Sequence, residues 1–123
     1  MTTNATIASM IAGCIAALAA TTPASAENWV RVVDNPGGNA TFFKVDVDSI
    51  KTEADGLIHF TEQDDWDTTH RALDCRNRIS YITDAPMGMK GYNWKSSSRP
   101  IEAGSIRGEI ADFVCARARL AAG

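Results

Sequence analysis

The sequence predicts an α+β fold: a single antiparallel sheet of about six short strands with one C-terminal α-helix docked on one face. Three observations carry that expectation. Between Trp29 and Lys95, short runs of β-type residues are separated by clusters of turn formers. From Ser105 onward the apolar spacing changes to three and four, the signature of a helix with one apolar face. Cys75 closes one of the strand-like runs and Cys115 lies near the end of the helical segment, so a bond between them would tie helix to sheet.

The chain divides into residues 1–26, read as a cleaved signal peptide, and residues 27–123, one domain. Residues 1–26 contain no Asp, Glu, Lys or Arg, and Ile7 to Ala20 are almost wholly Ala, Ile, Leu and Met. Ala24-Ser25-Ala26 is a small-x-small site of the kind signal peptidase cuts. The apolar stretch falls short of the roughly 20 residues a membrane span needs. Ile11-Ala12-Gly13-Cys14 has the form of a lipobox, but Ile15 to Ala20 continue the apolar core beyond it, so cleavage after Ala26 is the expectation. Export places the domain in the periplasm or at the outer cell surface. Cys75 and Cys115 are the two cysteines that remain there, and the oxidising setting predicts that they pair.

The elements follow in order. Trp29 to Val33 is a β-type run, closed by the turn cluster Asn35-Pro36-Gly37-Gly38-Asn39. Thr41 to Val47 alternates, with Phe43, Val45 and Val47 on one face, and Asp48-Ser49-Ile50 is expected to leave the strand. Asp55-Gly56 marks a tight turn. Leu57 to Gln63 is a third strand, with Ile58 and Phe60 opposite His59 and Thr61. Asp64 to Thr69 is a polar connection. Arg71 to Cys75 and Ile79 to Thr83 form two more strands joined around Arg76-Asn77, and Lys90 to Lys95 is expected to be the sixth. Ser96 to Pro100 reads as a loop. Ser105 is the expected N-cap of a helix whose face is Ile106, Ile110, Phe113 and Val114. On an ideal helix Ile106 and Cys115 fall on opposite faces, so the cysteine reaches the sheet either from a loosened helix end or from its flank.

Composition narrows the function classes. A formal net charge of −3 gives no basic stripe for nucleic acid. His59 and His70 lack the spacing of a metal site, and the acidic run Glu62, Asp64, Asp65, Asp67 lacks the calcium-loop pattern, so no metal is expected. Met87 and Met89 read as gap-fillers, and without Cys-x-x-Cys-His there is no covalent haem. No cofactor is predicted. Ser96 to Ser98 have no glycine elbow, and paired cysteines are inert, so no catalytic residue is assigned. Asp46 and Asp48 share a strand face, where a turn-forming role explains them more simply than acid–base work. Trp66 and Trp94 are the candidate binding residues. Trp66 stands in a polar connection where no core pattern demands it, and Trp94 precedes the serine-rich loop.

The order of these motifs resembles the surface-adhesin protein E family of small exported proteobacterial proteins. The resembling residues are Trp29-Val30, then Phe43-Lys44-Val45-Asp46-Val47-Asp48-Ser49-Ile50, Asp74-Cys75, Tyr92-Asn93-Trp94, and Ile101 through Ser105 leading to Val114-Cys115. The resemblance implies a sheet of about six strands with a disulfide-docked helix. It also implies an outer-membrane adhesin role toward host matrix proteins and haem, and a homodimer. The short connection at Asp64 to His70 and the misplaced lipobox depart from the pattern. The expected function is therefore an exported, non-catalytic, adhesin-like binding module for a macromolecular partner. A small periplasmic enzyme inhibitor of the lysozyme-inhibitor kind, or a periplasmic enzyme, is the alternative.

Overall fold

The computed structural model describes residues 27–122. The expected signal peptide, its cleavage site and Cys14 lie outside the described residues. Six strands form one antiparallel sheet in the order of the sequence: β1 (Trp29–Asp34), β2 (Phe42–Thr52), β3 (Ile58–Gln63), β4 (Thr68–Asp74), β5 (Ile79–Ile82) and β6 (Arg99–Pro100). One helix, α1 (Ile106–Ala122), follows. Among the described residues no helix is long and apolar enough to cross a membrane.

The meander follows from its turns. Gly56 takes a φ of +82° between β2 and β3, a backbone conformation that costs glycine nothing. Asp74 accepts from the backbone and side-chain amides of Asn77 and so closes the β4–β5 turn. Arg78 in that turn holds a φ of 58°, and its guanidinium meets Asp112 of α1 at 2.8 Å.

Alternation puts Val33, Val45, Phe60 and Leu73 on one face of the sheet, under α1. The helix lies over β2 with further contacts to β1 and β3. Ile110, Ala111, Val114 and Cys115 form its buried stripe, and Ile101 closes the core from the connection before the helix. Ser105 is the N-cap: its Oγ accepts from the Gly108 amide at 3.0 Å. A Cβ at Gly108 would stand 2.4 Å from the Glu102 carbonyl oxygen, so only glycine lets the connection pass this close to the helix.

Cys75 and Cys115 are bonded, with their Cα atoms 6.0 Å apart. The sequence spacing made this geometry look awkward, and the position of the buried stripe removes the difficulty. At about 100° per residue the stripe centres on Ala111 and Val114. Cys115 lies inside that arc, and the helix runs on unbroken past it. Ile106 and Phe113, expected to face the core, sit on the flank and are half-buried.

Two strand expectations need correction. Asp48 to Ile50 do not leave β2. They form an irregularity between Asp46 and Lys51, where the Ser49 hydroxyl donates to the Asp46 carbonyl at 2.6 Å and accepts from the Thr61 amide at 2.8 Å. The side chain replaces the backbone pairing that the bulge gives up. Lys90 to Lys95 is not a strand. Asn93 caps a 3-10 turn over Trp94–Ser97, and the sixth strand is Arg99–Pro100, paired with Ser80 and Ile79. A proline is tolerated there because β6 is an edge.

Candidate functional site

Three turns lie at one end of the sheet: Asn35 to Thr41, Asp64 to Asp67, and the segment leaving β5 through Asp84 to Met89. This loop end carries Trp66, Met87 and Met89, three of the large apolar side chains most exposed to solvent. Trp66 is 75% exposed. It does not fold back over the sheet. Its indole Nε1 donates to the Asn39 carbonyl at 3.0 Å, and its backbone amide donates to Asp64 Oδ1 at 2.8 Å. The indole is therefore held across two turns while its faces meet water.

The acidic run is a set of caps. Asp64 Oδ1 accepts from the amides of Trp66 and Asp67. Asp65 reaches across to the first turn and accepts from the Thr41 hydroxyl and from the amides of Thr41 and Phe42. The Thr41 hydroxyl, with those amides behind it, holds the Asp65 carboxyl below its ordinary range.

Trp94 lies elsewhere, near the other end of β3 on the sheet face away from α1. Its ring meets Tyr81 edge-on at 5.4 Å and His59 edge-on at 5.8 Å. His59 and Tyr81 flank Ala72 in the ladder, and Ala72 is fully buried. A small residue between two rings leaves the space an indole fills. Packing thus accounts for most of Trp94, whose exposed neighbour Lys95 stands 5.7 Å from the ring. The structure does not bring Trp66 and Trp94 together; the length of β3 separates them.

His59 and His70 are also apart. His59 Nε2 lies 2.9 Å from Asp55 and His70 Nδ1 lies 2.9 Å from Asp84, each a local brace. Asp55 is held below its ordinary range, first by the Leu57 amide and then by His59. Asp74 is lowered in the same way by Asn77. Among the described residues no group of three or more His, Cys, Asp or Glu side chains could hold a metal ion.

Sequence reasoning missed one cluster. Glu62 points to the helix side and is 4% exposed. Arg107 of α1 grips it with both nitrogens, Nη1 to Oε1 at 2.5 Å and Nη2 to Oε2 at 3.0 Å. Arg71 Nε stands 2.8 Å from Glu62 Oε2, yet it is not aligned to donate and has no hydrogen-bond partner. Burial pushes the Arg71 guanidinium down, Glu62 opposes that, and Arg107 adds to it. The signal was present in the sequence, since Glu62 continues the Ile58, Phe60 alternation. A carboxylate on an apolar face implies a buried partner.

No protein-family model, curated protein or solved structure matches this chain. Fold and site define a small disulfide-tied α+β domain with one aromatic held out to solvent.

Proposed function

We propose that the chain is an exported, non-catalytic binding module of the adhesin-like kind, similar to the surface-adhesin protein E family, acting in the periplasm or at the outer cell surface on a protein or other macromolecular partner. The observation that carries this reading is Trp66. A large exposed aromatic is common, but this one is fixed in place by two hydrogen bonds and contributes little to the core. A rigid aromatic loses little conformational freedom on binding, and such residues dominate binding hot spots. The disulfide supports export, because such bonds persist in oxidising compartments. The His59–Asp55 pair braces the β2–β3 turn, and the His70–Asp84 pair ties β4 to the segment after β5. A homodimer is part of the same proposal and rests on the resemblance.

The test compares wild type with Trp66→Ala for capture of immobilised envelope and matrix proteins. The variant is expected to keep its melting temperature and to lose affinity by tenfold or more, since a hot-spot truncation costs about 2 kcal/mol or more. Turnover of any substrate by the purified protein, abolished by one point substitution, would overturn the reading.

A further inference from the structure

A second feature of the loop end stands apart from Trp66. Between β4, the end of β5 and the segment that follows lies an open cleft of about 460 Å³. Arg71 lies on its β4 side, Ile82, Pro86 and Met87 supply apolar walls, and Asp67 and Asp84 line it as well. The volume falls in the range of small-molecule sites.

The electrostatics of this cleft are asymmetric. A guanidinium offers five donors. The carboxylate nearest to Arg71, Glu62, is already gripped through both oxygens by Arg107. One buried negative charge thus serves two cations, and Arg71 Nε, 2.8 Å from Glu62 Oε2, is not aligned to donate to it. A carboxylate or phosphate would fit such a fork. The acidic residues around the cleft choose between them. Asp67 is exposed, Asp84 is committed to His70, and Asp64 sits close enough to act on Arg71. The two carboxylates that line the cleft, Asp67 and Asp84, repel a phosphate dianion but attract an ammonium group.

We propose that this cleft binds a small zwitterion of the α-amino-acid class. The ligand carboxylate meets the Arg71 guanidinium, its ammonium group lies toward Asp67, and its side chain packs on Ile82, Pro86 and Met87. The site does not depend on Trp66 or on a macromolecular partner, so the two readings fail separately.

The experiment titrates the full purified protein with L-leucine, leucinamide, N-acetylleucine and inorganic phosphate, followed by nuclear magnetic resonance. L-Leucine is expected to saturate and to move the signals of Arg71, Ile82 and Met87. Leucinamide and N-acetylleucine are each expected to bind about tenfold more weakly, because each loses one charge-assisted contact. Asp67→Asn lies on the exposed rim and leaves the core untouched. It is expected to weaken leucine but not N-acetylleucine, erasing the preference between them. Arg71→Lys is expected to weaken leucine by about tenfold while the fold, read from the remaining amide signals, persists. No binding of leucine up to about 10 mM, far weaker than ordinary small-ligand sites, would overturn the proposal. So would stronger binding of phosphate, equal binding of leucinamide, or an unchanged preference in Asp67→Asn.

Discussion

Helix α1 is fastened to the sheet twice, and the two fastenings differ in kind. Near its start Arg107 grips the buried Glu62 of β3, with Arg71 of β4 on the carboxylate's other side. Two turns later Cys115 is bonded to Cys75 at the end of β4. The first is an ion cluster around a buried carboxylate, and its parts are useless singly. The second is a covalent bond that acts mainly on the unfolded chain. The contrast teaches that one docked helix can be held by removing alternatives at one end and by a costly mutual dependence at the other.

Breaking the ionic fastening should have the largest effect. Glu62→Gln leaves two guanidiniums without a counter-charge, and loss of one partner from a buried pair costs about 3–5 kcal/mol. Urea unfolding measures it. Glu62→Met together with Arg71→Met and Arg107→Met is expected to recover most of that loss, because apolar replacements remove the desolvation cost as well. Failure of that recovery would mean that the cluster contributes net stability beyond its own satisfaction.

The covalent fastening ranks close behind. Its ring spans a sequence separation of 40, worth about 4 kcal/mol in the chain-entropy model. Cys75→Ser is expected to cost about 2–5 kcal/mol. Reductant should reproduce that loss in wild type and change nothing in the variant. Labelling of the native protein should find neither cysteine free.

These two fastenings also mark what could be read in advance. The disulfide was expected from reading residues 1–26 as an export leader, which leaves two cysteines to pair, a chemical argument needing no geometry. The Glu62 cluster needed the register of β3 to be followed one step past Phe60, to a residue that pattern reading treats as solvated. The helix and most strands were legible because apolar periodicity is local. The sixth strand was not. Arg99–Pro100 is two residues long and is defined by pairing with β5, which leaves no local pattern. Residues 90–95 carried aromatic β-formers, yet Gly91 at a φ of +71° breaks the run and Asn93 caps a 3-10 turn that starts only at Trp94. Of the two tryptophans singled out, Trp66 is exposed and Trp94 is mostly packed.

The helix face offers a finer comparison between Ile110 and Phe113. The expected face gave both to the core, but only Ile110 is fully buried. Ile110→Ala is expected to cost about 2–5 kcal/mol. Phe113→Ala should cost less than the roughly 3–5 kcal/mol of a core phenylalanine, since part of the ring already meets water. Equal losses would move the helix face back toward Phe113.

The smallest effect should separate the two ends of the sheet by pH. Asp65 caps the loop end, with its carboxyl lowered first by the Thr41 hydroxyl; Asp55 and Asp74 do the same work at the opposite end, lowered first by the amides of Leu57 and Asn77. A carboxyl whose folded value lies below its unfolded value of about 3.9 adds stability that is fully present above that value and is lost as pH falls through the folded one. All three should therefore stabilise the domain at neutral pH and stop doing so in acid. Asp65→Asn is expected to lower the melting temperature slightly at pH 7, with the difference from wild type closing as pH falls through the lowered folded value. The disulfide does not titrate, so reduced and oxidised protein should show the same closure. A gap that persists in acid would mean that Asp65 holds the first turn by shape and not by charge, and the loop end would then owe its rigidity to Asp64 and the Trp66–Asn39 bond.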